Sequence, residues 1–413
     1  MINNATKIGF IGLGKLGLPC AEVFAQKGHA VTGYDTKPVH SKSIFVESSI
    51  EKTVKYKDIV FIAVPTPHDP DYDGSAPSSH LEPKDFSYDI VEQVISEANK
   101  HMTDNQLLVL ISTVLPGTTR KQFADLVTNA RFVYNPYLIA MGSVAWDMVN
   151  PEMVMIGTED GTETGDAKQL VDFYKTIMEN NPRYVIGTWD ECECIKVFYN
   201  TFISAKIGLV NMIQDVAMQQ GNIDVDVVTD ALAQSKMRIM GPQYMKAGMG
   251  DGGACHPRDN IALRYMAQEL NLGYDLFDSI MTAREIQAEN LAVFLVDIAN
   301  EKNMPIYIHG KAYKPGVPYT DGSYSMLVGH YCEYHGFAPT YIDPFTDDTS
   351  NPTEPCVMLM AHSASTTYEY TGKPSKDELY CAIPPGSVVV DPWRKIESSV
   401  STVVHYGNTR QHK

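Results

Sequence analysis

The sequence has few cysteines, a deficit of positive charge and no long apolar run, and each shortage argues against a class of protein. Its seven cysteines are scattered over 413 residues, so we expect reduced thiols in a cytoplasmic setting rather than a disulfide framework. Lys and Arg number 33 against 50 Asp and Glu, which argues against nucleic-acid and membrane partners. No apolar run reaches the roughly 20 residues of a membrane-spanning helix, and the N-terminal residues do not have the pattern of a signal peptide.

A metal centre is not expected either. The nearest candidate is Cys192-Glu193-Cys194, which has no second ligand pair at the spacing that a zinc site needs. What the sequence does have is an ordinary globular composition, with 44% apolar and 20% charged residues. A chain of 413 residues has room for two or three domains, each with its own core.

Short apolar runs alternate with helical stretches over the first part of the chain. Helices are predicted at 16–27 and 88–100, and strands are predicted at 7–13, 30–34, 59–64, 107–111, 131–134, 154–157 and 184–186. Strands that alternate with helices are typical of parallel sheets, whose strands are joined by crossover helices. Residues 1–189 are therefore predicted to form a doubly wound, Rossmann-like α/β domain.

The pattern changes at about residue 190. Residues 190–219 form a long stretch with helical apolar periodicity, and further helical patterns occupy 223–236 and 257–301. We predict a central, mostly helical domain over 190–302, with the long helix as a candidate dimer-forming element. The alternation then returns and predicts a second Rossmann-like α/β domain over 303–413, with strands at 306–309, 340–342, 356–361 and 387–390.

A glycine-rich segment follows the first predicted strand and opens the first predicted helix. Its GxGxxG spacing allows a tight turn, close approach of a pyrophosphate and close helix–strand packing, with the phosphates at the helix N-terminus. Asp35 ends the second strand, where a carboxylate binds the adenosine ribose and repels a 2′-phosphate. NAD is therefore favoured as the cofactor, although Lys37 leaves NADP as an alternative. The segment consists of Gly12, Leu13, Gly14, Lys15, Leu16 and Gly17.

A second glycine-rich segment, 248–253, precedes Cys255. Pro257 suits the first turn of a helix, so the thiol is expected at a helix N-terminus, where its pKa is lowered and a nucleophilic thiolate is favoured. Asp259 lies four residues further on and would share the helical face. Taken alone, Cys255 is equally compatible with a small buried core residue.

Lys196 and Asn200 lie four residues apart in the long predicted helix. This spacing places an ammonium and an amide on one helical face. Such donors could stabilise an alkoxide or a thiohemiacetal oxyanion. Taken alone, the pair is more typical of a solvated helix face.

Eight motifs in this order resemble the UDP-glucose/GDP-mannose dehydrogenase family, the nucleotide-sugar 6-dehydrogenases that oxidise a primary alcohol to a carboxylate with two NAD. Three of them are the segments described above. The other five are the runs 64–67 (Val-Pro-Thr-Pro) and 112–118 (Ser-Thr-Val-Leu-Pro-Gly-Thr), Arg238 with Tyr244, and the runs 310–315 (Gly-Lys-Ala-Tyr-Lys-Pro) and 341–344 (Tyr-Ile-Asp-Pro). The resemblance covers nearly the whole chain.

The resemblance implies catalytic roles for matched positions. Cys255 would attack the aldehyde that the first hydride transfer forms, and the thiohemiacetal would lose a second hydride to become a thioester. Lys196, Asn200 and Asp259, with Thr113 acting through a water, would hold the oxyanion and shuttle protons. A thiol of lowered pKa beside hydrogen-bond donors and a nicotinamide is chemically coherent with this reaction.

The resemblance also implies two sets of binding residues. To the glycine segment and Asp35, the cofactor set adds Val64, Pro65, Thr66, Ser112 and Thr113. The substrate set consists of Tyr137, Leu138, Lys196, Asn200, Arg238, Tyr244, Gly248, Gly252, Lys314 and Arg394. Within that set, Arg238 would reach the substrate of the partner subunit and Lys314 would lie near the phosphates. A homodimer through the central helix follows from the same resemblance.

The chain departs from the family pattern in three places. Residues 136–142 stand where the family has Pro-Glu-Phe-Leu-x-Glu-Gly, so Tyr137 and Met141 replace both glutamates. The first glutamate is thought to be the general base for thioester hydrolysis, and neither a phenol of ordinary pKa nor a thioether replaces a carboxylate at neutral pH. The arginine expected within 318–324 is missing, and the C-terminal Asp-Gly-Arg is replaced by Asp-Pro-Trp-Arg, which ends at Arg394.

The sequence therefore predicts an NAD-dependent nucleotide-sugar 6-dehydrogenase with UDP-glucose as the first candidate substrate, while GDP-mannose and N-acetylhexosamine nucleotides stay open. Two alternatives follow from the lost glutamates. One is a dehydrogenase that stops after two electrons or leaves its acyl group unhydrolysed, and the other is a protein that binds NAD and a sugar nucleotide without turnover. A simple β-hydroxyacid dehydrogenase shares the front half of the pattern but needs neither the cysteine segment nor a second α/β domain.

Overall fold

Two parallel-dominated sheets, one in each half of the chain, form the framework of the computed structural model. The structure describes residues 5–67, 85–139, 143–241, 247–250, 255–315, 318–362 and 383–408, without the side chains of residues 207, 208, 211, 255, 258, 259 and 262. The chain divides into two compact units, Met1–Lys206 and Ile207–Lys413. The predicted domain boundaries at 189 and 302 stay predictions.

The first unit contains a doubly wound sheet. Its strands are β1 (Lys7–Ile11), β2 (Ala30–Tyr34), β3 (Phe45–Val46), β4 (Ile59–Ile62), β5 (Leu107–Leu110), β6 (Arg131–Tyr134), β7 (Met153–Thr158) and β8 (Arg183–Thr188). Its connections contain helices α1 (Gly17–Gln26), α2 (Ile50–Val54), α3 (Asp89–Lys100), α4 (Val144–Val149) and α5 (Asp166–Tyr174), with helical turns at Thr119–Phe123 and Ala124–Leu126. The strand order β3-β2-β1-β4-β5-β6-β7-β8 begins with the order typical of dinucleotide-binding sheets.

The central strands of this sheet are buried because helices cover both of its faces. Every residue of β4 and β5 is buried. On one face Phe10, Phe24 and Phe61 pack together with residues of α1 and α5, and on the other face Ile62 and Leu110 pack with residues of α3. The carboxyl ends of β1, β4 and β5 are therefore held together at one edge of the sheet.

Strand β7 reverses the direction of the sheet. It pairs antiparallel with β6, through Tyr134 and Gly157, whereas β8 continues parallel to β7. The alternation of strands and helices indicates parallel neighbours, and among the described pairs of this sheet β6 with β7 is the exception. The reason is that the connection from β6 to β7 contains only the short helix α4 among its described residues, and so it returns from the edge at which β6 ends instead of crossing the sheet.

The second unit has a smaller sheet of the same kind. Its strands are β9 (Ile306–His309), β10 (Thr340–Asp343), β11 (Asp348–Thr349), β12 (Val357–Met360), β13 (Val388–Asp391) and β14 (Thr402–His405), in the order β11-β10-β9-β12-β13-β14. All pairs are parallel except β10 with β11. Helix α10 (Tyr324–Tyr334) joins β9 to β10. The predicted second α/β fold is confirmed, with two strands, β11 and β14, that the sequence did not indicate.

Helices fill the stretch between the sheets. Helix α6 (Trp189–Gln220) confirms the predicted long helix, and α7 (Val225–Ala233) follows it. The expected single helical stretch at 257–301 is two helices, α8 (Cys255–Glu269) and α9 (Leu276–Lys302). The break occurs because Asn271 and Gly273 have positive φ and Asp275 caps α9 through the Asp278 amide. Within the described ranges, no helix is long and apolar enough to cross a membrane.

The buried His309 makes the stability of the second unit depend on pH. Neither ring nitrogen of this fully buried side chain has a hydrogen-bond partner among the described residues. Burial, reinforced by nearby His362, lowers the pKa of His309 to about 4. The unfolded chain takes up this proton at an ordinary pKa of about 6.5, so the stabilisation is complete above that pH and is lost progressively as the pH falls toward 4.

We therefore predict that the free energy of unfolding falls by roughly 3 kcal/mol over this range through His309 alone. Urea denaturation at several pH values, followed by circular dichroism, measures the slope. His309→Leu should flatten it, whereas His40→Gln, at an exposed position, should not. Parallel pH profiles for wild type and His309→Leu would contradict the prediction.

Candidate active site

The glycine segment forms a tight turn between β1 and α1. Gly12 has φ +92, and a Cβ at this position would lie 2.4 Å from the Ala63 carbonyl oxygen. A Cβ at Gly17 would lie 1.9 Å from the Gly12 carbonyl oxygen, whereas nothing lies within 4 Å of one at Gly14. Gly12 and Gly17 thus permit close backbone packing, and Gly14 leaves open backbone for a pyrophosphate at the start of α1.

A cavity of about 1340 Å³ lies over this turn. It exceeds the 300–1,000 Å³ that is usual for small-ligand pockets, which suits a dinucleotide. The predicted residues that line it are Gly12, Gly14, Lys15, Leu16, Gly17, Asp35, Val64, Pro65, Ser112, Thr113, Tyr137 and Lys196. Leu13 is buried in the core beneath Gly33 instead. Among the described residues, no three His, Cys, Asp or Glu side chains form a cluster that could hold a metal ion.

Asp35 is fixed beside the glycine turn by main-chain amides. Its Oδ2 accepts the Leu13 N–H at 2.8 Å, and its Oδ1 accepts the Lys37 N–H at 2.8 Å. Each carboxylate oxygen can accept a further bond, so the group can still bind ribose hydroxyls. Its charge disfavours a 2′-phosphate, which supports NAD rather than NADP.

Two hydroxyl groups tie together the loops that follow β4 and β5. Ser112 Oγ donates to the Val64 carbonyl oxygen at 2.6 Å, and Thr66 Oγ1 donates to the Thr113 carbonyl oxygen at 2.8 Å. The Thr66 hydroxyl is therefore engaged with the neighbouring loop. These bonds make one wall of the cavity from two chain segments.

Lys196 of α6 reaches the same cavity. The side chain is half-buried, and its Nζ donates to the Tyr137 carbonyl oxygen at 2.6 Å. Burial lowers the pKa of Lys196. None of the carboxylates that the structure describes forms an ion pair with it. Lys196 thus presents a partly desolvated cation, without an ion-pair partner among the described residues, in the cavity that the glycine turn borders. Such an environment can stabilise a developing oxyanion.

Glu193 is a residue that sequence reasoning missed as part of the site. It is fully buried one turn before Lys196, and it accepts the N–H groups of Gly117 at 2.5 Å and Thr119 at 2.7 Å. Burial raises its pKa. The side chain fixes the loop of Ser112 and Thr113 to α6. Its one sequence signal is a carboxylate within a run of apolar periodicity, which is uncommon unless the group is hydrogen bonded.

Tyr137, which stands at the position of the family glutamate, turns its side chain into the core. The residue is 9% exposed, and its Oη lies 2.8 Å from that of Tyr174. Burial raises the pKa of Tyr137, so this phenol cannot act as a base at neutral pH. Leu138 packs half-buried against the apolar cluster of the opposite sheet face, while Asn200 is exposed on α6.

The remaining predicted residues belong to the second unit. Arg238 is exposed, and Gly248 lies against the Trp393 ring, which a Cβ would meet at 2.3 Å. Arg394 donates to the Ala247 carbonyl oxygen at 2.6 Å. Lys314 Nζ lies 5.3 Å from the centroid of the adjacent Tyr313 ring.

The backbone begins α8 at Cys255, as the sequence predicted. The side chains of Cys255 and Asp259 are not described. Tyr244, Gly252 and Met141 lie outside the described residues.

Comparison with known proteins identifies relatives for most of the chain. A family model described as the UDP-glucose/GDP-mannose dehydrogenase family, NAD binding domain, matches residues 36–178, and the model of the family's central domain matches residues 190–286. Together these segments make up more than half of the chain.

Individual relatives are distant. The uncharacterized protein MJ1054 of Methanocaldococcus jannaschii is 28% identical over 62% of this chain but only 30% of its own length. UDP-glucose 6-dehydrogenase of Rickettsia prowazekii is 23% identical over 75% of this chain and 74% of that protein. A GDP-mannose dehydrogenase structure from Pseudomonas aeruginosa is similar in fold, with a TM-score of 0.76, 18% identity, and coverage of 96% of this chain and 99% of that one.

The position of Asp35 yields a prediction about cofactor choice. Asp35→Asn keeps one acceptor and removes the charge, so we expect roughly tenfold weaker NAD binding, because a hydrogen bond to a charged group contributes about 1.5–3 kcal/mol. The preference for NAD over NADP should shrink, because the 2′-phosphate is no longer repelled. Calorimetric titration of both cofactors measures this, with Asp104→Asn as a remote control. An unchanged ratio of the two affinities would refute the assigned role.

Proposed function

Since the chain belongs to the UDP-glucose/GDP-mannose dehydrogenase family, we propose that it oxidises the C6 hydroxyl of a UDP-hexose, UDP-glucose first, to the uronate with two NAD. Members of this family are NAD-dependent oxidoreductases that act on CH–OH groups, and so is this chain. The observation that carries the proposal is the half-buried Lys196 ammonium, bonded to a neutral carbonyl oxygen, in the cavity that the glycine turn and Asp35 border.

The proposed reaction proceeds in three balanced stages. The alcohol loses a hydride to NAD and a proton to solvent, which leaves an aldehyde. The Cys255 thiolate adds to the aldehyde carbon, and the resulting thiohemiacetal loses a second hydride and a proton to become a thioester. Water then releases the carboxylate and restores the thiol. Lys196 and Asn200 stabilise the oxyanion, and Asp259 and Thr113 relay protons.

The proposed substrate contacts follow, residue by residue, from the family resemblance. Lys196, Asn200 and the main chain at Tyr137 and Leu138 face the sugar. The nucleotide and phosphates are bound by Gly248, Gly252, Tyr244, Lys314 and Arg394, and Arg238 acts on the partner subunit's substrate. The assignment of cationic side chains to the phosphates is supported by the general preference of Lys and Arg for phosphate groups.

A second candidate function is favoured by the burial of Tyr137. Its phenol lies in the core and is bonded to Tyr174, so the position of the family's hydrolytic base carries no group that can activate water. A dehydrogenase that stops after two electrons, or that retains the thioester on Cys255, is consistent with this. A protein that binds NAD and a sugar nucleotide without turnover is the third outcome to test.

The decisive measurement is the amount of NADH formed per sugar nucleotide consumed. Purified protein is given excess NAD and a panel of UDP- and GDP-sugars, with mass spectrometry of the intact protein alongside. We expect two NADH per UDP-glucose and complete loss of turnover in Cys255→Ala. Cys356→Ala, which removes a buried cysteine of the second sheet, is the matched control.

The other outcomes separate the alternatives. About one NADH per active site together with a sugar-nucleotide adduct on Cys255 would indicate that hydrolysis is lacking. One NADH per sugar without an adduct would indicate release of the aldehyde. NAD binding without NADH from any sugar would overturn the proposed activity.

We also propose that the protein is a homodimer through α6. Phe198, Phe202 and Leu209 are 54%, 52% and 42% exposed, and their spacing of four and seven residues places them on one stripe of this helix. An apolar stripe of this kind is typical of an interaction surface.

Phe202→Asp should therefore weaken the dimer by roughly thirtyfold or more, because truncating or charging a central interface residue costs about 2 kcal/mol or more. Sedimentation equilibrium of the wild type and the variant measures the change. Tyr334→Asp, an equally drastic change at a residue 74% exposed on α10, serves as the control. A monomeric wild type at micromolar concentration would contradict the proposal.

A further inference from the structure

A row of buried polar groups lies directly behind the contact of Lys196. The Tyr174 hydroxyl, fully buried in α5, donates to Oδ1 of Asn135. On its other side it lies 2.8 Å from the Tyr137 hydroxyl. Asn135 is itself anchored, since its Nδ2 donates to the Met155 carbonyl oxygen of β7 at 2.5 Å. Tyr174 therefore sits at the centre of the row and joins two side chains that lie two residues apart on one loop.

This loop is the segment that presents a main-chain acceptor to Lys196. Residues 135–138 follow β6 at the carboxyl edge of the sheet, and the Tyr137 carbonyl oxygen accepts the Lys196 Nζ at 2.6 Å. Both side chains that could fix this loop, Asn135 and Tyr137, are held by Tyr174. Buried hydrogen bonds thus hold the two residues that flank Pro136 in the loop that carries this carbonyl.

We propose that Tyr174 and Asn135 are positioning residues for Lys196, acting through the main chain of Tyr137. The role of Lys196 in turnover rests on the proposed function, whereas the positioning itself rests on the contacts described above. The residue at position 137 would then serve the site through its carbonyl oxygen, and its phenol would hold that oxygen in place.

The kind of acceptor matters for the chemistry of Lys196. A carboxylate at hydrogen-bond distance would stabilise the ammonium by its charge and raise its pKa. A neutral carbonyl satisfies one N–H while leaving the net charge intact, so burial prevails and lowers the pKa of Lys196. The lysine then keeps both a positive charge for an oxyanion and a proton that it can release more readily than an exposed lysine can.

The proposal is tested by measuring Lys196 itself. Competitive labelling with acetic anhydride between pH 7 and 11, read by peptide mass spectrometry, gives the pKa and reactivity of each lysine without turnover. In Tyr174→Phe the Tyr137 hydroxyl and Oδ1 of Asn135 lose their shared hydrogen-bond partner. The loop then loosens and the ammonium gains water. We expect the pKa of Lys196 to rise toward that of an ordinary lysine, because the ammonium is better hydrated. The pH-independent labelling rate of its free amine should rise severalfold, because the amine is more accessible.

Substitutions of the two tyrosines should affect the labelling of Lys196 to different extents. Tyr137→Phe leaves the bond between Tyr174 and Asn135 in place, so its effect on Lys196 should have the same direction and a smaller size. Tyr184→Phe removes the hydroxyl of a tyrosine that packs on the same apolar cluster, and it should leave the Lys196 profile unchanged. Exposed Lys42, which lies outside α5, provides the internal reference in every variant.

Turnover gives a second readout. For any sugar nucleotide that the wild type oxidises, Tyr174→Phe should lower kcat roughly tenfold, since small displacements of catalytic groups are costly. The pH profile of kcat should shift together with the labelling profile, while the KM for NAD stays constant. A merely structural role would lower the melting temperature without moving either profile.

Lys196 profiles that superimpose for wild type, Tyr174→Phe and Tyr137→Phe would overturn the proposal. Should Tyr174→Phe fail to fold, Tyr137→Phe against Tyr184→Phe decides the question alone. If no sugar nucleotide is oxidised, the proposed function fails, yet the labelling experiment still supports or overturns the positioning role.

Discussion

The buried carboxylate of Glu193 is the contact on which the arrangement of the candidate site depends. It accepts the amides of Gly117 and Thr119 and thereby fixes the loop after β5 to the first turns of α6. A carboxylate is stable in the core only when its oxygens are hydrogen bonded, and these two amides meet that requirement. The loop carries Thr113 and the helix carries Lys196. The distance between this part of the cavity lining and the lysine is therefore set by Glu193, which need not touch the cofactor or the substrate.

The two sheets have the same arrangement of a glycine and an aspartate at their carboxyl edges, but the two aspartates have different roles. Gly12 and Gly310 each follow the first strand of their sheet with positive φ, and each donates its N–H to the neighbouring strand. That strand supplies a carboxylate, Asp35 or Asp343, which accepts amides just after the glycine. Asp343 is fully buried and accepts three amides, whereas Asp35 borders the cavity. The first carboxylate is available to a ligand, and the second stabilises its own loop.

Features that depend on local chemistry could be predicted from the sequence. Most strands, the long helix and the glycine turn follow from periodicity and from the steric freedom of glycine, so the doubly wound fold is confirmed, although β3, β11 and β14 were not predicted. Features that depend on distant partners could not. The reversal at β7 depends on the path of a connection, and the role of Glu193 depends on amides 74 and 76 residues away. The reversal leaves no local pattern in the sequence, and Glu193 leaves only a carboxylate within an apolar run, which does not identify the amides that it binds.

Tyr137 shows how these two kinds of information combine. The sequence shows that this tyrosine, a weak acid, stands where the family has a glutamate. From the sequence alone, one can infer only that the catalytic base is missing. In the structure its ring fills the core beside Tyr174, and its carbonyl oxygen holds Lys196. The replacement removes a group that could activate water, whereas the neutral acceptor next to the lysine is a main-chain oxygen that any residue at position 137 supplies. What the tyrosine adds is a hydroxyl that bonds to Tyr174 in the core. An enzyme that completes hydrolysis with this site must activate water with a different group, and it does so beside a lysine whose pKa burial keeps low.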